Sequence, residues 1–376
     1  MADDGMSPTE SGRLKRLLQY LESDPNNAAL LNDAAETALA EGQPKIARDL
    51  LERSSRRAPL TGAQQGLAGL AAMRDNDFAA AGQIYEKLLE ASPSDASIRF
   101  NLAWSWAMTK NLKGALALLD QATTAALPQA AMLHVQLLHD QGEFEAAAEQ
   151  ASLHLTQHPD HPGLLGAVSV LAIDNEDVEL ARRCAEKAGD NPDALTTLGT
   201  LALGEQDPRA LDMFSAALGK NPHAPRAWVG KGLAEMAAGD HAAAARDIRH
   251  GAEMFSEHVG SWIAAGWAQL LVRDLAASRA SFDRALALDH NFAESHGSLA
   301  VLNILEGRHE EAQRQADTAL RLDPKSFSAA LARALLLQAR GNADAARAIV
   351  ERALNTPVDG RGLTIAAAIA RQAISK

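Results

Sequence analysis

The sequence predicts an all-α chain in which one short helix–turn–helix unit is repeated along the length. Three observations carry that expectation. Prolines recur at intervals close to 34 residues, small residues recur at the same interval, and helix stop signals come roughly every 15 to 17 residues, which leaves no room for strands.

Pro25, Pro59, Pro93, Pro128, Pro159, Pro192 and Pro222 are separated by 34, 34, 35, 31, 33 and 30 residues. Pro324 stands 102 residues after Pro222, three times 34, and Pro357 follows after 33. Each is expected to end the second helix of a unit, because proline has no N–H and a fixed φ. Between Pro222 and Ser256 the pattern within one unit is plain. Trp228 and Gly232 stand four apart on one helix face, Gly239 and Asp240 interrupt, and Ala244 and Ile248 restart the same step. The next unit repeats this with Trp262, Gly266, Phe282 and Ala285. Gly232, Gly266, Ala300 and Ala334 follow at 34-residue spacing and mark close helix approach. Gly239, Gly307 and Gly341 fall in the turn between paired helices, where a left-handed residue ends a helix.

These residues resemble the tetratricopeptide repeat: Trp or Leu, then Gly or Ala, then Ala, an aromatic or aliphatic residue, Ala and finally Pro. The resemblance covers about ten copies, from about Asn26 to about Thr356. The clearest begin at Pro225 and at Ala293, the latter with Leu299, Ala300, Gly307, Ala312, Ala319 and Pro324. The sixth, after Pro192, is short. The eighth has Arg273 at the turn and His290 at the close. The resemblance implies a right-handed superhelical solenoid of about ten helix-turn-helix repeats with terminal capping helices.

The expected organisation is a tail and capping helix over residues 1–24, repeats 1–5 over 25–190, repeats 6–10 over 191–359, and a C-terminal capping helix over 360–376. Ser7, Pro8, Thr9 and Glu10 form a candidate capping box. Leu14, Leu17, Leu18 and Leu21 then make one apolar stripe that ends at Asp24-Pro25. At the other end Leu363, Ile365, Ile369 and Ile374 follow Gly360 and Gly362; they would cover the last apolar edge, as a solenoid requires, or serve as a self-association surface.

Composition narrows the function. The chain has 376 residues, 47% hydrophobic and only 4% aromatic, and its formal net charge is −12. That balance disfavours nucleic acid, which calls for a basic face. The short basic runs, Arg13, Lys15 and Arg16, then Arg53, Arg56 and Arg57, read as solvated helix faces. Cys184 is alone and reads as a buried, inert thiol. The start MADDGMSPTE has neither the basic n-region nor the apolar core of a signal peptide, and no stretch is long and apolar enough for membrane insertion, so a cytoplasmic protein is expected.

Catalysis finds no support, and the chain reads as a non-enzyme without cofactor or metal. Gly230-Lys231-Gly232 lacks the spacing of a phosphate loop, and no G-x-S-x-G elbow is present. His154, His158 and His161, with Asp160, make one cluster of metal-ligand types. Its position at an inter-repeat turn reads as exposed loop histidines. His134 and His139 do not align.

The function is then expected on a surface. By the resemblance, first helices line a concave groove through the second, fifth, ninth, twelfth and thirteenth positions of each repeat. Those positions give Leu70 and Met73 in the second repeat, then Phe100, Trp104 and Met108 in the third. Met132 follows in the fourth with Gln136, His139 and Asp140, and Val170 and Ile173 in the fifth. The seventh gives Val229, Leu233 and Met236; the eighth Ile263, Trp267, Leu270 and Leu271; the ninth Val301, Ile304 and Leu305, with Leu331 and Leu335 beyond. So apolar a lining suits an apolar helix or extended segment of a protein partner. Trp104 and Trp267 are its sharpest members. No Lys, Arg and Asn clamp for a chaperone carboxy-terminus can be assembled, since the first two repeats offer Asn32, Glu36, Gly66 and Leu70. Two rivals are a substrate-recruiting subunit of a protein-modifying enzyme and a self-assembling structural protein.

Overall fold

The computed structural model describes residues 12–355. The candidate capping box, the expected C-terminal helix and Pro357 lie outside them. The described residues divide into two compact units, one ending at Ala188 and the other beginning at Gly189. Every regular element described is a helix, and none is long and apolar enough to cross a membrane.

In the first unit α1 (Arg13–Ser23) packs on α2 (Ala28–Ala40), which pairs with α3 (Pro44–Ser55). The pairs α4 (Gly62–Arg74) and α5 (Phe78–Ala91), then α6 (Ala96–Met108) with α7 (Leu112–Leu118) and α8 (Gln121–Ala126), follow. The unit ends with α9 (Pro128–Asp140) and α10 (Phe144–Gln157), then α11 (Pro162–Asp174) and α12 (Val178–Ala188). The second unit holds five pairs: α13 (Pro192–Gly204) and α14 (Ala210–Lys220), α15 (Pro225–Ala238) and α16 (His241–Phe255), α17 (Val259–Leu271) and α18 (Leu275–Leu288), α19 (Ala293–Leu305) and α20 (His309–Leu322), α21 (Phe327–Ala339) and α22 (Ala343–Leu354). Among the described residues the pairs number ten, as the repeat spacing predicts.

Local chemistry explains the helix ends. Asn27, Asp77, Asp95, Asp240, Asp274 and Asn342 each accept a backbone N–H at the start of the helix that follows, and Thr61 with Gln64 forms a full capping box. Leu14 and Leu21 on α1 are buried against α2, so the amino-terminal stripe covers the first pair.

Every first helix ends the same way. A residue with positive φ stands in each intra-repeat turn: Gly42, Asn76, Lys110, Gly142, Glu176, Gln206, Gly239, Arg273, Gly307 and Gly341. The N–H one residue beyond it reaches back five residues, as in Gln43 to Ala38 at 2.7 Å and Asp274 to Gln269 at 3.0 Å. The eighth repeat therefore makes its turn without the glycine, at a cost for the left-handed conformation of about 1–2 kcal/mol. Arg273→Gly is expected to raise the unfolding free energy by about 0.5–1 kcal/mol, after the greater chain entropy of glycine is subtracted. Urea unfolding of the full chain reads the change, and an unshifted midpoint would count against it.

Two of the repeat-marking prolines do not end second helices as their spacing suggests. Pro128 and Pro192 are the first residues of α9 and α13. Proline fits that position, because its fixed φ is helical and no N–H is needed there. The intervals of 35, 31 and 30 residues all involve one of these two. The third repeat also departs from a single second helix. Asp120 caps a fresh start at α8 through the Thr123 N–H, and Arg99 holds Asp120 at 2.8 Å while its guanidinium also donates to the Leu118 carbonyl.

In several repeats a large side chain is seated on a glycine of its own pair or of the next one. A Cβ at Gly69 would stand 2.6 Å from the Tyr85 ring, one at Gly230 2.3 Å from Phe214, and one at Gly266 2.3 Å from Phe282. At Gly232 it would meet Ile248 at 2.5 Å. Tyr85, Phe214, Ile248 and Phe282 are fully buried. Gly230-Lys231-Gly232 thus lies inside α15 as a packing segment, with Lys231 held by Glu235 and Asp247.

Candidate functional site

Each unit presents a layer of first helices. In the first, α2 touches α4, α4 touches α6, α6 touches α9 and α9 touches α11; in the second, α13 touches α15, α17 touches α19 and α19 touches α21. The layer of the second unit is tightest at α19 and α21, where a Cβ on Gly297 would lie 2.6 Å from the Ala329 nitrogen.

This proximity decides which lining side chains reach solvent. In the first unit Phe100 and Trp104 meet edge to face with centroids 6.0 Å apart, and both pack with Met73 against one core cluster. Leu70 is half-buried in the cluster of the first pair. Met132 lies over the start of α11, since a Cβ on Gly163 would approach its sulfur to 2.8 Å. Val170 and Ile173 are half-buried. Met108 is the outlier, 51% exposed on the last turn of α6.

In the second unit Val229 leans on Gly251 of α16, while Leu233 and Met236 join a cluster with Ala265 and Ala268 of the next first helix. Ile263 packs with Phe282, and Trp267, Leu270 and Ile304 pack around Val301, which is buried at 3%. Trp267 also donates its indole N–H to Ser298 at 3.0 Å, which ties α17 to α19. Leu271 and Leu305, on the last turns of α17 and α19, stay 51% and 53% exposed. They and Met108 occupy the same position in their repeats. The remaining tryptophans serve the frame. Trp228 and Trp262 donate to the Pro222 and Ser256 carbonyls, and Trp106 packs beside Gly114 and donates to Glu86.

Polar groups on the first helices are largely engaged with one another. His139 meets Asp174 of the next repeat at 2.8 Å. Glu294 accepts from the Ser328 hydroxyl. Burial pushes the Asp193 carboxyl up, against the pull of Arg226. Burial likewise raises Glu235, which Lys231 partly offsets.

The histidine cluster corrects the reading of exposed loop residues. His154 is 1% exposed inside α10, and its Nε2 stands 3.2 Å from His134 Nδ1 on α9. The spacing along one strand of sequence could not show a partner 20 residues away. His158 bonds the Thr124 carbonyl at 2.8 Å, and His161 caps α11 through the Leu164 N–H. Burial, with the neighbouring imidazole second, pushes His134 down to about 4; burial also lowers His154. Among the described residues no group of three or more His, Cys, Asp and Glu side chains is placed to hold a metal ion. Cys184 is buried at 3%, and burial pushes its thiol up.

Comparison with known proteins agrees with this architecture. The tetratricopeptide repeat family profile matches residues 32–96, 67–131, 196–249 and 306–360, more than half of the chain. A structure of the human IFIT1 dimer with PPP-AAAA aligns over 96% of this chain and 96% of its own, at 13% identity and a TM-score of 0.52. An IFIT1 monomeric mutant with Gppp-AAAA aligns over 93% and 95%, at 12% identity and 0.52. Pseudomonas aeruginosa pilF aligns over 54% of this chain and 94% of its own, at 16% identity and 0.43. No curated protein matches the sequence. At such identities the likeness is one of fold.

Proposed function

Because this chain belongs to the tetratricopeptide repeat family, we propose that it is a non-enzymatic protein-interaction scaffold that holds an apolar helix or extended segment of a partner against its first helices. One observation carries the reading. Met108, Leu271 and Leu305 recur at one repeat position, each more than half exposed, on helices whose other apolar residues are drawn into the packing. Large apolar side chains presented on a rigid layer are what an amphipathic partner buries. Within each unit, half-buried side chains of the same helices, Phe100 and Trp104 in the first and Trp267 and Leu270 in the second, supply the firm base a hot spot needs. The oligonucleotide held by IFIT1 does not transfer readily, since 48 acidic side chains face 36 basic ones here.

The test is a Leu271→Ser/Leu305→Ser double variant beside Met108→Ser. Both should keep wild-type helicity, because these side chains hold little of the core. Partner affinity should fall about tenfold or more in at least one. Unchanged capture by both variants would move the interface off the first helices, and a concentration-dependent mass lost in the same variants would assign the row to a second copy of the chain. Trp267→Ala is a poor probe, since it also breaks the Ser298 bond and the contact with Phe282.

A further inference from the structure

On the first unit, away from the first-helix row, two cavities of about 370 and 160 Å³ adjoin between α10 and α12. Both are walled by Leu155, Leu180 and Arg183, so they read as one slot. Its floor is α11, through the buried Val168 and Leu171. The reason for the gap is legible in α10, where small Ala148 and Ala151 stand opposite Leu180. The slot runs beside α12, whose 11 residues span roughly 16 Å. Its two ends differ in charge. Asn175 and Asp177 stand at one, while Arg183 and then Lys187 stand toward the other.

We propose that this slot binds an amphiphile with an anionic head and a medium-length acyl chain, a fatty carboxylate in chemical class. The chain lies over Val168 and Leu171 between Ala148 and Leu180, and the head meets Arg183 and Lys187. Asp177 repels a carboxylate at the opposite end, which fixes the direction of binding. An extended peptide suits the slot poorly. The walls are helices whose N–H and C=O groups are bonded internally, so they offer a peptide backbone no partners, and its polar groups would be buried unpaired. A hydrocarbon chain asks for none. Lys187 already pairs with Asp160 at 2.9 Å on the surface, which leaves Arg183, shared by both cavities, as the principal head-group contact.

The experiment is titration calorimetry of the full chain with decanoate below its micellar range, against octanoate and decanol. Decanoate should bind saturably at one site. Octanoate should bind roughly tenfold more weakly, because two fewer methylenes are buried. Decanol and the Arg183→Gln variant should each weaken binding about three- to tenfold. Ala148→Phe should abolish it by filling the slot; Ala148 and Arg183 are exposed, so both variants should retain wild-type circular dichroism. The Leu271→Ser/Leu305→Ser variant should bind decanoate as the wild type does, which separates this site from the first-helix scaffold. Absence of saturable binding overturns the proposal, as does binding indifferent to Ala148→Phe. Loss of a protein partner from Ala148→Phe without any decanoate binding would give the slot to a protein anchor instead.

Discussion

Phe282→Ala is expected to lower the unfolding free energy by about 3–5 kcal/mol. The ring is 0% exposed and packs with Leu299 and Leu302 of the following repeat. It fills the space that Gly266 leaves by having no Cβ, and it meets the Trp267 ring edge to face with centroids 5.9 Å apart. A glycine wall has no side chain that can swing into the hole, so the cavity persists. Urea unfolding gives the loss. Hydrogen exchange should place it in α17, α18 and α19, since a repeat leans only on its neighbours. Phe282→Leu should cost less than half as much, and equal losses for the two variants would mean that filled volume does not set the stability of this site.

Acid should weaken the first unit before the carboxylates titrate. His134 and His154 touch in a buried setting, and His134 titrates at about 4 in the folded chain against about 6.5 when unfolded. Depressed imidazoles are neutral when folded, so the unfolded chain binds more protons as pH falls from 6.5 toward 4. Stability is therefore complete above 6.5 and declines through that window, by roughly 2 kcal/mol. Melting temperatures at pH 7 and pH 5 should show the decline, and a His134→Gln/His154→Gln variant should flatten it. A variant that melts lower yet keeps the full pH slope would place the titrating group elsewhere.

The fold was legible because repetition multiplies weak signals. Trp228, Gly232 or Pro222 says little once, but prolines and small residues recurring near every 34 residues located ten helix pairs. What escaped the sequence were features that conformation imposes on unsuited residues. Lys110, Glu176, Gln206 and Arg273 take the left-handed turn because the packing of paired helices demands it, against their own preference. Pro128 and Pro192 fell near the repeat spacing but at the opposite helix end, since proline both stops one helix and starts the next. The site was less legible than the fold. Position within the repeat identified the first-helix row, but how far neighbouring helices cover it depends on their separation. Gly297 against Ala329 sets that separation, so Val301 is buried while Leu305, four residues on, is exposed.

The shared turn has a mechanical side. Each pair closes on a single left-handed residue and one backbone bond reaching back five residues, and within each unit it holds to the next pair through local contacts. Under tension each unit, as such an array, parts pair by pair, each release lengthening the chain by a similar small step, so it would yield gradually where a globular domain of the same length would rupture at once.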